Sequence, residues 1–314
     1  MTIDQVKGGM LGLAIGDALG VPVEFRDRTT LKRNPVVDMR EFGSHHQPKG
    51  TWSDDSSLAF CLAESLIENP QIDTEDIGKR FCRWFKEGYL TPHGRVFDIG
   101  MATTFAIRRL LNGYPAIMAG GSDEDSNGNG SLMRILPLSF VLKNKNLTER
   151  FEITDSVSSI THAHVRSVIA CFYYIEFALQ LLAGKEKFEI YKALQPTILD
   201  FLEQRDIRES EIKLFKPILK ENIWERKEEN IRSSGYVVNT LHASIWCLMT
   251  SETYEETVLK AVNLGDDTDT TGAVAGGLAG ILYGFNKIPT QWVHELVKSS
   301  EIVDLSNRFY HTIT

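Results

Sequence analysis

The sequence predicts an all-α fold, a single compact domain over residues 1–314. Apolar residues recur three or four positions apart through most of the chain, which is the spacing of one helix face. No segment shows the convincing alternation of a half-buried strand, and only Thr51-Trp52 and Val36-Val37 are candidates for short extended pieces. Hydrophobic residues make up 42% of the 314, enough for a sizeable core.

The elements follow in chain order from this spacing and from helix start and stop signals. Ser53 can cap the second helix, a glycine-rich loop precedes the fifth, and the charged stretch over 203–232 is expected to be a solvated helical face. The predicted helices cover about residues 4–19, 54–68, 74–87, 98–112, 131–143, 150–161, 164–183, 187–203, 209–220, 234–249, 253–263, 268–284 and 290–303.

Two of these helices carry a glycine at every fourth position. The stripes are Gly8, Gly12, Gly16 and Gly20, and Gly272, Gly276, Gly280 and Gly284. Glycine costs up to about 1 kcal/mol per helix position relative to alanine, so each stripe needs a physical reason. Close approach of another backbone supplies one, and we expect the first helix and the helix from about 268 to pack together centrally. Separate bulky neighbours for each stripe are the alternative.

Composition and charge exclude several functions. The formal net charge of −8 argues against nonspecific nucleic-acid binding, for which Lys and Arg supply most of the affinity, and against an anionic membrane surface. The four cysteines form no Cys-x-x-Cys pair and resemble reduced core cysteines of a cytoplasmic protein. No signal peptide is visible, and the apolar run near 273–285 is too short and glycine-rich for a membrane span. We expect a cytoplasmic monomer without nucleic-acid or membrane partners.

A first acidic cluster, Gly-Thr-Trp-Ser-Asp-Asp-Ser at residues 50–56, precedes an apolar helix. Ser53 can be the N-cap, with Asp54 and Asp55 interacting with the helix dipole, and this purely structural interpretation stays open. Alternatively, the three side chains offer oxygen ligands of the kind that Mg²⁺, Mn²⁺ or Ca²⁺ takes.

A second acidic cluster, Gly-Asp-Asp-Thr-Asp-Thr-Thr, occupies residues 265–271. A helix cap needs only one of these side chains, and the repulsion between so many like charges requires compensation, which a bound cation provides. The pattern is not that of an EF-hand. Because a two-metal site draws carboxylates from separate segments, the two clusters together predict a divalent metal site.

Three further segments are candidates for ligand contacts. The glycine-rich segment 126–134 is expected to precede a helix directly, and its backbone N–H groups can bind a phosphate. It matches neither the Walker A nor the Rossmann pattern, and a loop without a ligand is the alternative. In Thr-His-Ala-His at 161–164, the histidines cannot share one helix face, so one can enter a site, or both are structural. Asp17 lies in an apolar helix and needs a partner, and Glu24 follows that helix, where its side chain can project into a cavity.

Taken together, these segments resemble the ADP-ribosylglycohydrolase family, from Gly8 to Gly284. The resemblance rests on the pairing of the two acidic clusters, joined by Gly-Asp-Ala-Leu-Gly at 16–20 and Gly-Asn-Gly-Ser at 128–131. It implies a compact all-α domain of orthogonally packed helices that binds two Mg²⁺ (or Mn²⁺) ions and cleaves the bond between ADP-ribose and an acceptor.

Site residues follow from the same resemblance, position by position. The implied metal ligands are Ser53, Asp54, Asp55, Asp267, Asp269 and Thr270. The implied catalytic carboxylates are Glu24, Asp98, Asp55 and Asp267. The implied substrate contacts are Gly128, Asn129, Gly130, Ser131, His162 and Tyr236, with the last as an aromatic shelf for adenine. Asp266 and Met101 depart from the pattern of many relatives: Asp266 is expected to be a neighbour of the ligands, and Met101 leaves the contacts near Asp98 open. Asn239 and His242 also depart from the pattern, which leaves the acceptor open.

The function implied is removal of ADP-ribose from a modified protein, with ADP-ribose as product and arginine as the first expectation for the acceptor. Water would attack the anomeric carbon through an oxocarbenium-like transition state, as in other glycoside cleavages. Three alternatives stay open: a non-catalytic ADP-ribose-binding or structural member, a hydrolase of O-linked ADP-ribose, and a two-metal phosphoesterase acting on ADP-ribose itself.

Overall fold

The computed structural model describes residues 1–313 and confirms the all-α class. Within these residues the only β-type pairings are two isolated bridges, Gly121 with His162 and Gly128 with Tyr236. The helices are α1 (Ile3–Gly20), α2 (Arg28–Arg33), α3 (Asp54–Glu68), α4 (Thr74–Glu87), α5 (Met101–Leu111), α6 (Leu136–Val141), α7 (Leu147–Ser159), α8 (Val165–Leu182), α9 (Lys187–Glu203), α10 (Glu209–Leu214), α11 (Lys216–Leu219), α12 (Val237–Met249), α13 (Tyr254–Val262), α14 (Thr268–Tyr283), α15 (Thr290–Glu295) and α16 (Ser299–Ile313).

Two helix starts differ from the expected ones, and both bear on the site. The helix expected from about 98 begins at Met101, because Asp98 has a left-handed φ of 51° that a helix excludes. The helix expected from about 131 begins only at Leu136, where Pro137 lies in its first turn. The glycine-rich loop therefore leads into turns, and the prediction that it opens a helix is wrong.

Other boundaries differ because backbone breaks were not recognised. The helix expected over 209–220 is divided into α10 and α11, with Pro217 in the first turn of the latter. The helix expected over 290–303 is divided into α15 and α16 near Lys298, whose φ is 58°. The short α2, capped by the Asp27 side chain, was not expected at all.

The two glycine stripes face each other, as the spacing predicted. A Cβ at Gly16 would lie 2.1 Å from the carbonyl oxygen of Gly272, and one at Gly12 would lie 2.5 Å from that of Gly276. Gly8 meets Gly280 in the same way, at 2.1 Å. No side chain larger than a hydrogen fits between these backbones, so α1 and α14 pack antiparallel at a separation that only glycine permits. The ends of the stripes differ, since Gly20 meets Asp269 and Gly284 lies beside Asp4.

The α1–α14 pair forms the centre of one continuous hydrophobic core, and α3, α8, α12, α13 and α16 pack around it. The Tyr254 hydroxyl on α13 donates to the Gly12 carbonyl at 2.9 Å, and that of Tyr174 on α8 donates to Val274 at 3.0 Å. Because the pair is antiparallel, the end of α1 and the start of α14 lie at the same end of the molecule. Asp17, near the end of α1, binds the start of α3, so both acidic clusters lie side by side at this end.

Two segments have the length and apolar composition of a membrane span, Ile3–Val23 and Val165–Leu182. They are 94% and 78% buried inside the fold. Core packing against neighbouring helices accounts for their apolar composition.

Candidate metal and active site

The Asp17 carboxylate holds the backbone of the first acidic cluster in place. Its carboxylate, fully buried on α1, accepts hydrogen bonds from the backbone N–H groups of Ser53 (2.9 Å) and Ser56 (3.1 Å) and from the Ser56 hydroxyl (2.5 Å). Burial raises the pKa of Asp17 to about 7 even though these hydrogen bonds favour its ionised form. The buried charge expected in α1 thus has its partners, and it fixes the start of α3.

The two acidic clusters meet across the ends of α3 and α14. The Thr270 hydroxyl donates to Asp55 at 3.3 Å, although the two residues are 215 positions apart. The Asn129 amide donates to Asp267 at 2.9 Å and so ties the glycine-rich loop to the same group. Ser53 caps α3 by accepting from the Asp55 N–H at 3.2 Å, so the structural role considered for it is present. The cap is compatible with a ligand role, since the hydroxyl has a second lone pair.

Three carboxylate oxygens in this group are buried without a hydrogen-bond partner: Asp55 Oδ2, Asp267 Oδ1 and Asp269 Oδ2. Burial raises the pKa of Asp55 and Asp269 well above the ordinary value, and the surrounding carboxylates raise it further. Buried polar atoms normally have partners, and so many acidic groups together need a positive charge. A divalent cation that prefers oxygen satisfies both requirements, so these residues fit the expected metal ions.

Beside this group lies a second one, which includes a histidine outside the motifs recognised in the sequence. His45 Nε2 hydrogen-bonds to the Glu24 carboxylate and lies 4.0 Å from Asp98 Oδ1. Burial raises the pKa of Glu24 to about 7 despite the His45 hydrogen bond, and the Asp98 and Asp267 charges contribute. The hydrogen bond to Glu24 raises the pKa of His45. The sequence signal for this position is the adjacent pair His45-His46, which lies in a segment without helical periodicity.

The donor atoms of this second group lie within 4.8 Å of one another and could hold a metal ion. The group shares one aspartate with the predicted ligand set and adds an imidazole nitrogen, which Mn²⁺ accepts more readily than Mg²⁺. Its members are Glu24, His45, Asp98 and Asp269. The structure therefore contains a candidate acidic and histidine cluster, whereas the number and identity of the ions stay predictions.

The glycine-rich loop lies against the segment that leads into α12. The Asn129 N–H donates to the Gly235 carbonyl at 3.0 Å, and the Val237 N–H donates to the Asn127 carbonyl at 3.0 Å. Gly128 keeps a partly exposed backbone. Ser131 differs from expectation, because it is fully buried and its hydroxyl accepts from Ser158 at 3.0 Å. Its side chain thus faces the core.

His162 supports this loop from within. A Cβ at Gly130 would lie 2.7 Å from His162 Cε1, so only glycine fits over the ring. His162 Nδ1 shares a hydrogen bond with the Thr161 hydroxyl at 2.8 Å. Burial lowers the pKa of His162 to about 3, which keeps the imidazole neutral. Tyr236 is half-buried at the other side of the loop. His162 and Tyr236 thus border the same loop, and their substrate contacts stay predictions.

Beneath the loop lies a buried arginine, Arg134, that was not singled out from the sequence. It is fully buried, donates to the carbonyls of Gly130 (3.4 Å) and Val157 (3.1 Å), and lies over the Phe81 ring. Its Nε has no partner, and Arg134 forms no ion pair among residues 1–313. Burial lowers the pKa of Arg134 to about 10, so it is charged at neutral pH and supplies positive charge next to a loop expected to bind phosphate.

Comparison with known proteins decides the family. The model of the ADP-ribosylglycohydrolase family matches residues 1–314. The chain belongs to this family. It is 34% identical to the ADP-ribosylarginine hydrolase Tri1 of Serratia proteamaculans (strain 568), over 99% of this chain and 80% of that protein. It is 29% identical to the ADP-ribosyl-[dinitrogen reductase] glycohydrolase of Rhodospirillum rubrum, over 93% of this chain and 90% of that protein.

A solved structure shows the same fold. The chain superimposes on an ADP-ribosylglycohydrolase-related protein complex with a TM-score of 0.82 and 32% identity, over 99% of both chains. These findings confirm the family recognised from the motifs and the class of enzyme, a hydrolase of ADP-ribose glycosidic bonds. The acidic clusters that carried the resemblance are the ones that the fold brings together.

Proposed function

We propose that this ADP-ribosylglycohydrolase removes ADP-ribose from arginine side chains of modified proteins and depends on two Mg²⁺ or Mn²⁺ ions. The observation that carries the proposal is the set of unpartnered, buried carboxylate oxygens from two segments more than 200 positions apart. The name of the 34%-identical relative supports arginine as the acceptor. The unpaired cysteines support a cytoplasmic location, and a monomer is our proposal for the oligomeric state.

Bound metal ions would supply Lewis acidity and a lowered pKa for a bound water. The expected ligands are Ser53, Asp54, Asp55, Asp267, Asp269 and Thr270. Their positions are set by the chain itself: Asp17 holds the start of α3, Asn129 holds Asp267, and the α1–α14 contact sets the distance between the clusters.

The proton transfers fall to the carboxylates beside the metal ligands. The bond between the anomeric carbon and the guanidine nitrogen breaks, the bond to the water oxygen forms, a carboxylate takes the water proton, and the leaving guanidine gains a proton. Glu24 is suited to proton exchange, because burial raises its pKa to about 7 in the metal-free protein. Asp98 is the second candidate, 4.0 Å from the histidine that also binds Glu24.

The pyrophosphate of the substrate carries negative charge on a protein of net charge −8. We assign its binding to the backbone of the loop at 128–130, with Arg134 beneath it as a buried positive charge. Tyr236, half-buried next to the loop, is the expected shelf for adenine.

The test is incubation of the purified protein with an ADP-ribosyl-arginine peptide, in Mg²⁺, in Mn²⁺ and in EDTA, with products identified by mass spectrometry. We expect free ADP-ribose in the metal samples only, and none from the Asp267→Ala/Asp269→Ala variant. AMP and ribose phosphate would instead indicate pyrophosphate cleavage. Release only from serine-linked peptide or from O-acetyl-ADP-ribose would move the acceptor to oxygen. No release from any substrate by a metal-loaded protein would favour a non-catalytic binding member.

A further inference from the structure

An exposed phenylalanine stands next to the predicted catalytic carboxylates on a backbone that disfavours it. Phe25 follows Glu24 directly, its side chain is 72% exposed, and its φ is 64°. The left-handed region is unfavourable for a bulky residue. Two backbone hydrogen bonds hold the conformation: the Phe25 N–H donates to the Asp266 carbonyl (2.7 Å), and the Asp266 N–H donates to the Arg26 carbonyl (2.8 Å). The backbone at Phe25 is thus held in place, and the ring lies mostly in solvent.

Phe25 is part of a group of three rings, which we call the aromatic rim. The ring centroids of Phe25 and His45 are 5.8 Å apart, and those of His45 and Phe97 are 5.5 Å apart. His45 binds Glu24, and Asp98 follows Phe97 in the chain. The aromatic rim therefore borders the two carboxylates that lie outside the predicted metal ligands.

Aromatic faces beside carboxylates recognise a planar cation. A guanidinium stacks on aromatic rings and donates paired hydrogen bonds to carboxylates, whereas a serine-linked acceptor has neither a charge nor a flat face. Free ADP-ribose lacks the guanidinium as well. The exposed position of Phe25 fits the acceptor of a protein substrate, which must reach the site from outside.

We propose that Phe25, together with Phe97, stacks on the guanidinium of the acceptor arginine and is a specificity-determining residue for this acceptor. This rests on the proposed function, which it extends from a reaction to the recognition of the leaving group. Glu24 and Asp98 lie below the stacked cation, where they can accept its N–H groups.

The experiment compares wild type with Phe25→Leu and Phe25→Trp on arginine-linked and serine-linked ADP-ribosyl peptides, with calorimetric binding of free ADP-ribose. Phe25→Leu should raise KM for the arginine-linked peptide about 5- to 30-fold, the range of one desolvated cation–π contact, with little change in kcat. Phe25→Trp keeps an aromatic face and should stay within about twofold of wild type. Phe188→Ala removes another exposed ring, on α9, and serves as the matched control without effect.

A loss shared by serine-linked peptide or by free ADP-ribose would overturn the proposal, because the ring would then contact the ADP-ribose part. An unchanged KM would overturn it too. Phe25→Gly distinguishes a loss of arginine preference from a loss of folding. Glycine relieves the strain of the left-handed backbone, so the melting temperature should rise while the arginine preference disappears. If the wild type cleaves no substrate, the proposed reaction is refuted, but the role of the ring can still be tested by binding. The wild type should then bind the intact arginine-linked peptide more tightly than ADP-ribose, and Phe25→Leu should lose this difference.

Discussion

Gly272→Ala tests whether the glycine contact sets the geometry of the site. An alanine Cβ at Gly272 would lie 2.4 Å from the Gly16 carbonyl oxygen and 3.2 Å from Val262 Cγ2. Ordinary contact begins at about 3.4 Å, so α14 must move away from α1 by about 1 Å (3.4 minus 2.4). Residue 272 is one helical turn from Asp269, so this displacement reaches the acidic clusters directly.

Two effects of opposite sign decide the change in the free energy of unfolding. Alanine is favoured over glycine within a helix by up to about 1 kcal/mol, whereas overpacking a rigid contact costs about 1–3 kcal/mol or more. The obstacle here is backbone rather than a flexible side chain, so the cost lies at the upper end. We expect a net destabilisation of about 1–3 kcal/mol, and a fall in activity of up to about 100-fold from a 1 Å displacement of catalytic groups.

Urea unfolding, calorimetric Mn²⁺ titration and turnover of the arginine-linked peptide measure these effects. Gly78→Ala is the matched control, because Gly78 also lies in a helix but its new Cβ would meet the flexible Leu110 side chain at 3.2 Å. The control should differ from wild type by less than about 1 kcal/mol. If Gly272→Ala bound Mn²⁺ as tightly as wild type and unfolded at the same urea concentration, close packing of α1 and α14 would not control the site.

Two further predictions concern charge. The pKa of Asp17 and of Glu24 is raised by burial to about 7, so between about pH 4 and 7 the folded protein binds more protons than the unfolded chain. The metal-free protein should therefore lose stability as pH rises through this window, and Mg²⁺ should reverse the loss. An equal free energy of urea unfolding at pH 5 and pH 8 in EDTA would contradict this prediction. Arg134→Met should cost about 1–3 kcal/mol in stability, because the carbonyls of Gly130 and Val157 lose a donor. It should weaken ADP-ribose binding about tenfold, the size of one charge pair about 10 Å apart at an effective dielectric constant of about 20. Calorimetry with neutral adenosine, whose affinity should not change, is the control, and an equal loss for both ligands would refute the electrostatic role.

How far the sequence reaches differs between elements. The α1–α14 contact was predictable, because a glycine at every fourth position has few explanations other than close backbone approach. The start of α5 was not, since no sequence signal requires the left-handed φ of Asp98. The start of α6 was predictable, because a helix interior excludes proline, and the helix predicted over 131–143 neglects Pro137. That error gave the glycine-rich loop a helix N-terminus that it lacks.

The sequence by itself determined the helical class, the family and the oxygen-rich chemistry of the site. These depend on residue types and spacings that are local, such as Ser-Asp-Asp at 53–55 and Asp-Thr-Asp-Thr at 267–270. Only the tertiary structure placed Thr270 within 3.3 Å of Asp55, Asp17 under Ser53, and His45 against Glu24. Such contacts depend on how segments far apart in the chain pack, and local spacing carries no information about that distance. The outward Phe25 ring and the unpaired charge of Arg134 likewise became visible only as properties of exposure and burial.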